Sequence, residues 1–300
     1  MAILVGRETR VICQGMTGRA ATFHVRRMLN YGTRIVGGVT PGKGGRRHLD
    51  LPVFDTVAEA VAATGANASL VFVPPDRAAA AMIEAIRAGI ALVVCVTERV
   101  PLIDMVRVRQ ALDGSRTRLV GPNSQGVLAP GVAQLGVMAT TSARKGGIGI
   151  ASRSASLTSE IVAQITRAGL GQSATVGVGG DPVHGLTLAQ CVELFDADNE
   201  TEGMVLIGEI GGSDEEQAAE AITRLRPRKP IVALVAGRHA PRLRRMGHAG
   251  AFTSERAGSA HSKIEVLLAA GVLIAPNAHN VGELMREALR SARNSAAHPI

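Results

Sequence analysis

The segment Arg244-Arg245-Met246-Gly247-His248-Ala249-Gly250-Ala251 sets one imidazole between two glycines, directly after Arg242, Arg244 and Arg245. It has no helical or strand periodicity, which is the pattern of a loop that presents a ring. Gly247 and Gly250 carry no Cβ to obstruct a bulky tetrahedral group approaching it, and the arginines favour an anion there. A neutral imidazole keeps a free ring nitrogen near pH 7, because its ordinary pKa is about 6.5. Histidine is also among the side chains that carry covalent intermediates. The same residues fit a solvent-exposed loop histidine, and what separates the two readings is a partner. Glu209, in Gly208-Glu209-Ile210-Gly211-Gly212, is a charged residue at the end of an otherwise apolar strand, where an unpaired carboxylate is costly. It is expected to touch and orient His248; the alternative is a carboxylate that caps a turn or faces water.

The elements around these residues alternate strand and helix. Arg10 to Gln14 reads as a buried strand, followed by Gly15-Met16-Thr17-Gly18-Arg19 and a helical pattern from Ala20 to Leu29. Such a turn gathers unpaired backbone N–H groups into an anion site. It lacks the Gly-x-Gly-x-x-Gly spacing of dinucleotide binding, and the next strand, Arg34 to Val39, lacks the acid that holds an NAD ribose. A hydride-transferring enzyme is therefore disfavoured. That strand runs instead into the basic loop Thr40-Pro41-Gly42-Lys43-Gly44-Gly45-Arg46-Arg47, which suits a ligand with an extra phosphate.

Further along, Ala68 to Val73 is a strand, Asp76 a candidate cap for a helix from Arg77 to Ala88, and Ala91 to Val96 a strand ending in Thr97-Glu98. A helix (Asp104 to Leu112), a strand (Arg118 to Val120) and the turn Gly121 to Gly126 complete a parallel doubly wound sheet, which is expected to close near Lys145-Gly146. The pattern restarts with a strand from Ile148 to Ala151. Ser152-Arg153-Ser154-Ala155-Ser156 follows as a cap that aims the N-terminus of a helix, Leu157 to Ala168, above the sheet. Strands at Ala174 to Val178, Gly203 to Ile207, Pro230 to Val235 and Val272 to Ile274 alternate with helices at Thr187 to Ala197, Asp214 to Arg224, Ser262 to Ala270 and Ala278 to Leu289. Glu209 and His248 then both follow strand ends, where open α/β sheets bind ligands.

With 300 residues, two domains are expected, 1–145 and 146–300. No apolar run is long enough to span a bilayer, and residues 1–10 lack an apolar core followed by a cleavage site, so a cytoplasmic protein is expected. Cys13, Cys95 and Cys191 are scattered, which argues for reduced thiols and against disulfides or zinc. The net charge of +8 invites a nucleic-acid reading, but one Tyr and no Trp leave nothing to stack on bases; an anionic small molecule fits better. His24, His48, His184, His239, His261 and His279 show no i,i+4 partner that suggests a metal site.

Three motifs together, Gly37-Gly38-Val39-Thr40-Pro41-Gly42-Lys43-Gly44-Gly45, Gly208-Glu209-Ile210-Gly211-Gly212 and Arg245-Met246-Gly247-His248-Ala249-Gly250-Ala251, resemble the α subunit of succinyl-CoA synthetase and its nucleoside-diphosphate-forming relatives. The resemblance runs from about Ile3 to about Leu289. It implies an N-terminal Rossmann-like CoA-binding domain followed by a flavodoxin-like doubly wound α/β domain that carries a phosphohistidine at His248. It further implies that a carboxylic acid, CoA and a nucleoside triphosphate become acyl-CoA, nucleoside diphosphate and phosphate through an acyl phosphate. By the same resemblance CoA contacts fall on Thr17, Gly18, Arg19 and Ala20, on Lys43, and on Val96, Thr97 and Glu98, and phosphate contacts on Ser154, Ala155 and Ser156. The chain has no P-loop and no visible ATP-grasp domain, so ATP or GTP with Mg is assigned to a β subunit in an αβ or α2β2 assembly. Where the family shows Ser-Arg-Ser-Gly-Thr-Leu-Thr-Tyr, this chain has Ser152-Arg153-Ser154-Ala155-Ser156-Leu157-Thr158-Ser159, and the tyrosine position, here Ser159, belongs to the acid's pocket. Gly121-Pro122-Asn123-Ser124-Gln125-Gly126 replaces Gly-Pro-Asn-Cys-Pro-Gly. Succinate stands beside malate, itaconate or a sulfur-containing analogue as the acid, and a non-catalytic CoA-binding sensor is the reading from another class.

Overall fold

Four consecutive buried residues, Val11–Gln14, form β1, and a strand with no exposed face belongs inside a sheet covered on both sides. The computed structural model describes residues 3–241, 246–252 and 258–297, so the expectations placed on Arg242, Arg244 and Arg245 lie outside the described residues. These divide into two compact units, one of 4–138 with 181–186, the other chiefly of 139–180 and the described part of 187–297.

In the first unit β1 leads through Gly18 into α1 (Arg19–Tyr31), whose start has no side-chain cap and which ends at Gly32 in the left-handed conformation. There follow β2 (Ile35–Val39), β3 (Arg47–His48), β4 (Leu51–Phe54), α2 (Val57–Thr64), β5 (Ala68–Val71), α3 (Pro75–Arg87), β6 (Leu92–Cys95), α4 (Leu102–Leu112), β7 (Arg118–Val120) and the antiparallel hairpin β8 (Gly126–Ala129) and β9 (Ala133–Gly136). The main sheet runs β3-β4-β2-β1-β5-β6-β7, parallel except where β3 folds back on β4. Leaving β3 aside, that is the Rossmann order, with the strand order reversing beside β1. The sequence did not reveal β3, β4 and α2. β4 alternates weakly, and β3 is two residues of the basic loop turned into a strand by pairing Arg47 with Pro52. Asp76 is not the cap of α3. Pro74 holds that position, Pro75 opens the helix and Asp76 lies in its first turn, because a proline at the first helical position loses no hydrogen bond.

The second unit holds β10 (Lys145–Ser152), α5 (Ala155–Arg167), β11 (Gln172–Gly177), α6 (Leu188–Ala197), β12 (Gly203–Glu209), α7 (Asp214–Leu225), β13 (Ile231–Ala236), α8 (Ala260–Ala269), β14 (Leu273–Ile274) and α9 (Val281–Ala297), a short 3-10 turn preceding α9. Lys145 and Gly146, where a boundary was expected, open β10, and the units part between Met138 and Ala139. All five strands are parallel in the order β14-β13-β12-β10-β11, the flavodoxin-like arrangement, which places the switch point between β10 and β12. Ile148, Ile150, Val205, Ile207 and Val232 pack with Ile161, Ile165, Val281 and Met285 from the helices. Each such side chain contributes about 1.5–3 kcal/mol on burial. This is what holds the two strand ends at a fixed spacing. Residues 181–186 return to the first unit, where Leu186 donates to the Leu119 carbonyl at 2.7 Å and Gly185 to that of Gly121 at 2.9 Å. Among the described residues no helix is long and apolar enough to cross a membrane.

Candidate active site

Glu209 is the last residue of β12 and Ser152 the last of β10, so the two strands at the switch point deliver Glu209 and the Ser152-Arg153-Ser154 turn to one edge of the sheet. His248 arrives from the loop beyond β13. That loop closes on itself, with Met246 donating to the Ala251 carbonyl at 2.9 Å and Ala251 to that of His248 at 3.1 Å. The imidazole Nδ1 lies 2.9 Å from both Glu209 oxygens. A carboxylate only accepts, so Nδ1 carries the hydrogen, and in the neutral ring the lone pair then lies on Nε2. The ring is partly exposed and the carboxylate nearly buried, at 29% and 10% of their side-chain surfaces. A reagent can therefore reach the ring while water is kept from the acid.

Two glycines fix this geometry. A Cβ on Gly180 would stand 2.4 Å from Cγ and Nδ1 of the ring, so the ring lies flat on bare backbone. Gly211, at φ +83°, would press a Cβ to within 2.0 Å of the Gly250 carbonyl oxygen. A Cβ on Gly247 would meet nothing within 4 Å, and its φ of +61° is one that the turn favours in a glycine. The clearance the ring needs comes from Gly180, 68 residues earlier in the numbering, and nothing local to the histidine motif announces it.

Ser154 caps α5, accepting from the Leu157 N–H at 3.4 Å, and Ala155 and Ser156 stand exposed in the first turn. Ser159 is exposed one turn on and its hydroxyl reaches the Ala155 carbonyl only at 3.5 Å. Arg153, read as part of a cap, is instead buried beside Glu209, with Nη2 3.4 Å from Oε1. Burial works against the guanidinium's charge, but Glu215, Glu209 and Asp214 around it outweigh that and hold its pKa above the ordinary value.

In the first unit, the carboxyl edge of the Rossmann-order sheet brings Thr17 and Lys43 into direct contact: Lys43 Nζ donates to Thr17 Oγ1 at 2.9 Å. Asp55 ties down the lysine's loop by accepting the Lys43 and Gly44 N–H groups at 3.0 and 2.9 Å; no local motif marks Asp55 for this role. Gly18, Arg19 and Ala20 lie exposed at the start of α1. Val96, Thr97 and Glu98 follow β6 on the same edge, separated from β1 by β5. Thr97 donates to the Val73 carbonyl at 2.7 Å and Glu98 is exposed. Ser124 is buried and accepts from the Gly126 N–H at 2.8 Å.

His261 Nε2 lies 3.2 Å from Oε1 of Glu265, one turn further along α8. Both are exposed on α8, and among the described residues no group of three His, Cys, Asp or Glu stands together to hold a metal. His24 stacks on Phe72, with burial and then Arg27 lowering its pKa, and His184 Nδ1 contacts the Leu186 carbonyl oxygen at 3.0 Å.

Comparison with known proteins bears on both units. The CoA binding domain family matches residues 6–99 and the CoA-ligase family residues 151–273. A protein of Aquifex aeolicus named succinate–CoA ligase [ADP-forming] subunit alpha is 49% identical over 97% of this chain and 95% of its own. The chain belongs to the succinate–CoA ligase alpha-subunit family. Another member, from Archaeoglobus fulgidus and named subunit alpha 2, is 47% identical over 96% of this chain and its whole length. Among solved structures, an ATP citrate lyase of Methanosaeta concilii in complex with (3S)-citryl-CoA superposes with a TM-score of 0.88 over the full chain. At 23% identity, and with this chain spanning about half (52%) of that longer protein, it shares the fold. The family's two domains thus coincide with the Rossmann-order and flavodoxin-like sheets.

Proposed function

We propose that this chain is the α subunit of a nucleoside-diphosphate-forming acid–CoA ligase whose phosphoryl carrier is His248. The observation that carries the reading is the bidentate approach of Glu209 to Nδ1 at a flavodoxin-like switch point. The acid fixes the tautomer, so Nε2 presents its lone pair to phosphorus. Nε2 attacks the γ-phosphorus of the triphosphate, the bond to the β-phosphate oxygen breaks and the diphosphate departs. A carboxylate oxygen of the acid then takes the phosphoryl group from nitrogen. The thiol sulfur of CoA, giving up its proton, attacks the acyl carbon of that acyl phosphate and phosphate leaves. Glu209 also balances the charge that the ring gains when Nε2 is substituted. Phosphoryl transfer asks for positioning and charge neutralisation more than for covalent machinery, and the amides at the start of α5, with Ser154, Ala155 and Ser156, are assigned to hold the phosphoryl oxygens.

CoA is assigned to the first domain. Lys43 and Thr17 take a phosphate, Gly18, Arg19 and Ala20 offer the helix start, and Val96, Thr97 and Glu98 line the remaining edge. The nucleotide, ATP or GTP, and its Mg are assigned to a β subunit with an ATP-grasp domain, in an αβ or α2β2 complex in the cytoplasm. The relatives' names make succinate the first acid to test, while Ser159 in place of a tyrosine opens the pocket to malate, itaconate or a sulfur analogue. The test is incubation of the chain and its partner with γ-labelled ATP or GTP. An acid-labile, base-stable label that disappears in His248→Asn supports the carrier; a chain that binds CoA but never takes label is a sensor. A coupled assay across three- to five-carbon acids then names the substrate.

A further inference from the structure

Glu209 is the outermost member of a chain of buried charges. Its Oε1 lies 3.4 Å from Nη2 of Arg153, and its own N–H donates to Glu215 Oε1 at 2.9 Å. Arg153 Nη1 donates to the Gly211 carbonyl at 3.0 Å and to Glu215 Oε1 at 3.2 Å, and Nε lies 4.0 Å from Asp214 Oδ2. Glu215 in turn receives Lys263 Nζ from α8, which also donates to Glu216 Oε2 at 2.8 Å and to the Gly212 carbonyl at 3.0 Å. Arg153, Glu215 and Lys263 are 3%, 1% and 0% exposed. Among the described residues, then, Glu209, Asp214 and Glu215 are buried against one guanidinium and one ammonium, with Glu216 at the edge.

Charges buried in this way are costly to desolvate, and apolar side chains of similar volume stabilise a core as well or better. The network therefore calls for a role at the site it adjoins. We propose that Arg153 is the positioning residue of the His248 site: it offsets the charge of Glu209 and holds the carboxylate with both oxygens toward Nδ1, so that the Nε2 lone pair stays open. Without Arg153, the Glu209–His248 pair faces Asp214 and Glu215 with only Lys263 behind them, and takes up a proton more readily. Wherever that proton settles, Nε2 is closed. On the ring it makes imidazolium; on Glu209 the acid donates to Nδ1 and the ring's hydrogen moves to Nε2. Lys263 acts one step further out by engaging Glu215, which leaves Arg153 free to share itself with Glu209.

The proposal rests on His248 as phosphoryl carrier, and its test does not. The full chain, with its partner subunit, is treated with diethyl pyrocarbonate, which acylates only an unprotonated ring nitrogen. Modification of the His248 peptide is followed by mass spectrometry from about pH 5 to 8. Arg153→Met is expected to move the midpoint of reactivity up by about one pH unit or more, while Arg153→Lys, which restores the charge, returns it most of the way. Glu215→Gln, which releases the guanidinium toward Glu209, is expected to move it down, and serves if circular dichroism shows Arg153→Met unfolded. An unchanged midpoint in a folded Arg153→Met, or an upward shift in Glu215→Gln, overturns the proposal. Shifts of the expected sign in a chain that takes no phosphoryl label leave Arg153 its role and remove the carrier; label without shifts does the reverse.

Discussion

The imidazole Nδ1 of His248 stands 2.9 Å from each of the two oxygens of Glu209. One N–H shared between both oxygens fixes the direction in which the ring points, and the negative charge steadies any positive charge the ring acquires. Glu209→Gln keeps one accepting oxygen but replaces the other with a donor that repels Nδ1–H. The phosphorylation rate of His248 is expected to fall by about 10²–10⁴-fold, with the melting temperature little changed. A single-turnover labelling assay decides this, and a rate within a few fold of the parent would remove Glu209 from the mechanism.

Gly180 makes the same point from the other face of the ring. A methyl group there would overlap Cγ and Nδ1 at 2.4 Å, so in Gly180→Ala the imidazole must swing away from Glu209. The histidine loop is on the surface and can yield, so the stability loss should stay near 1 kcal/mol while activity drops at least tenfold, since displacements of about 1 Å at a reacting group cost up to about 10²-fold. Unaltered labelling kinetics in Gly180→Ala would show that the ring does not rest on that backbone.

These two residues mark how far the sequence could be followed. Glu209 was legible because a lone acid ends an apolar strand, and His248 because glycines surround it. Both signals are local. Gly180 lay in a turn with three other polar or small residues, and Arg153 between two serines that read as a helix cap; their roles exist only once β10, β11 and β12 lie side by side. Lys263 was invisible for a related reason: a lysine on a helix reads as solvated, yet here three partners, the Gly212 carbonyl, Glu215 and Glu216, absorb its charge. The parallel order of both sheets followed from the alternation of strand and helix. The hairpin β8–β9 and the β3–β4 pair did not, since strands of two to four residues are too short to show a periodicity.

In the first unit, Lys43 reaches Thr17 because Asp55 holds the lysine's backbone. Lys43→Met is expected to weaken CoA binding by about 10–100-fold, the loss of one charge-assisted hydrogen bond of about 1.5–3 kcal/mol. Asp55→Ala should weaken it less, through loop disorder, without touching the ligand. Calorimetric titration with CoA and with its dephospho form checks both. If the two variants bind CoA as the parent does, Lys43 does not face the ligand's phosphate.

Burial pushes the thiols of Cys13, Cys95 and Cys191 up to about 12. In the unfolded chain they ionise near pH 8.5, so above that pH the unfolded state holds fewer protons than the native one, and stability falls as pH rises toward 12. Each thiol contributes a slope of up to about 1.4 kcal/mol per pH unit. The benefit is complete below about pH 8. Two outcomes follow. The native protein should resist a thiol-specific disulfide reagent at pH 8 until denaturant is added, and Cys13→Ala/Cys191→Ala should lose stability between pH 9 and 11 about 3 kcal/mol per unit less steeply than the parent. Urea titrations at these pH values measure the slopes. Rapid labelling of the folded chain, or parallel slopes in parent and variant, would mean that the thiols meet solvent in the native state.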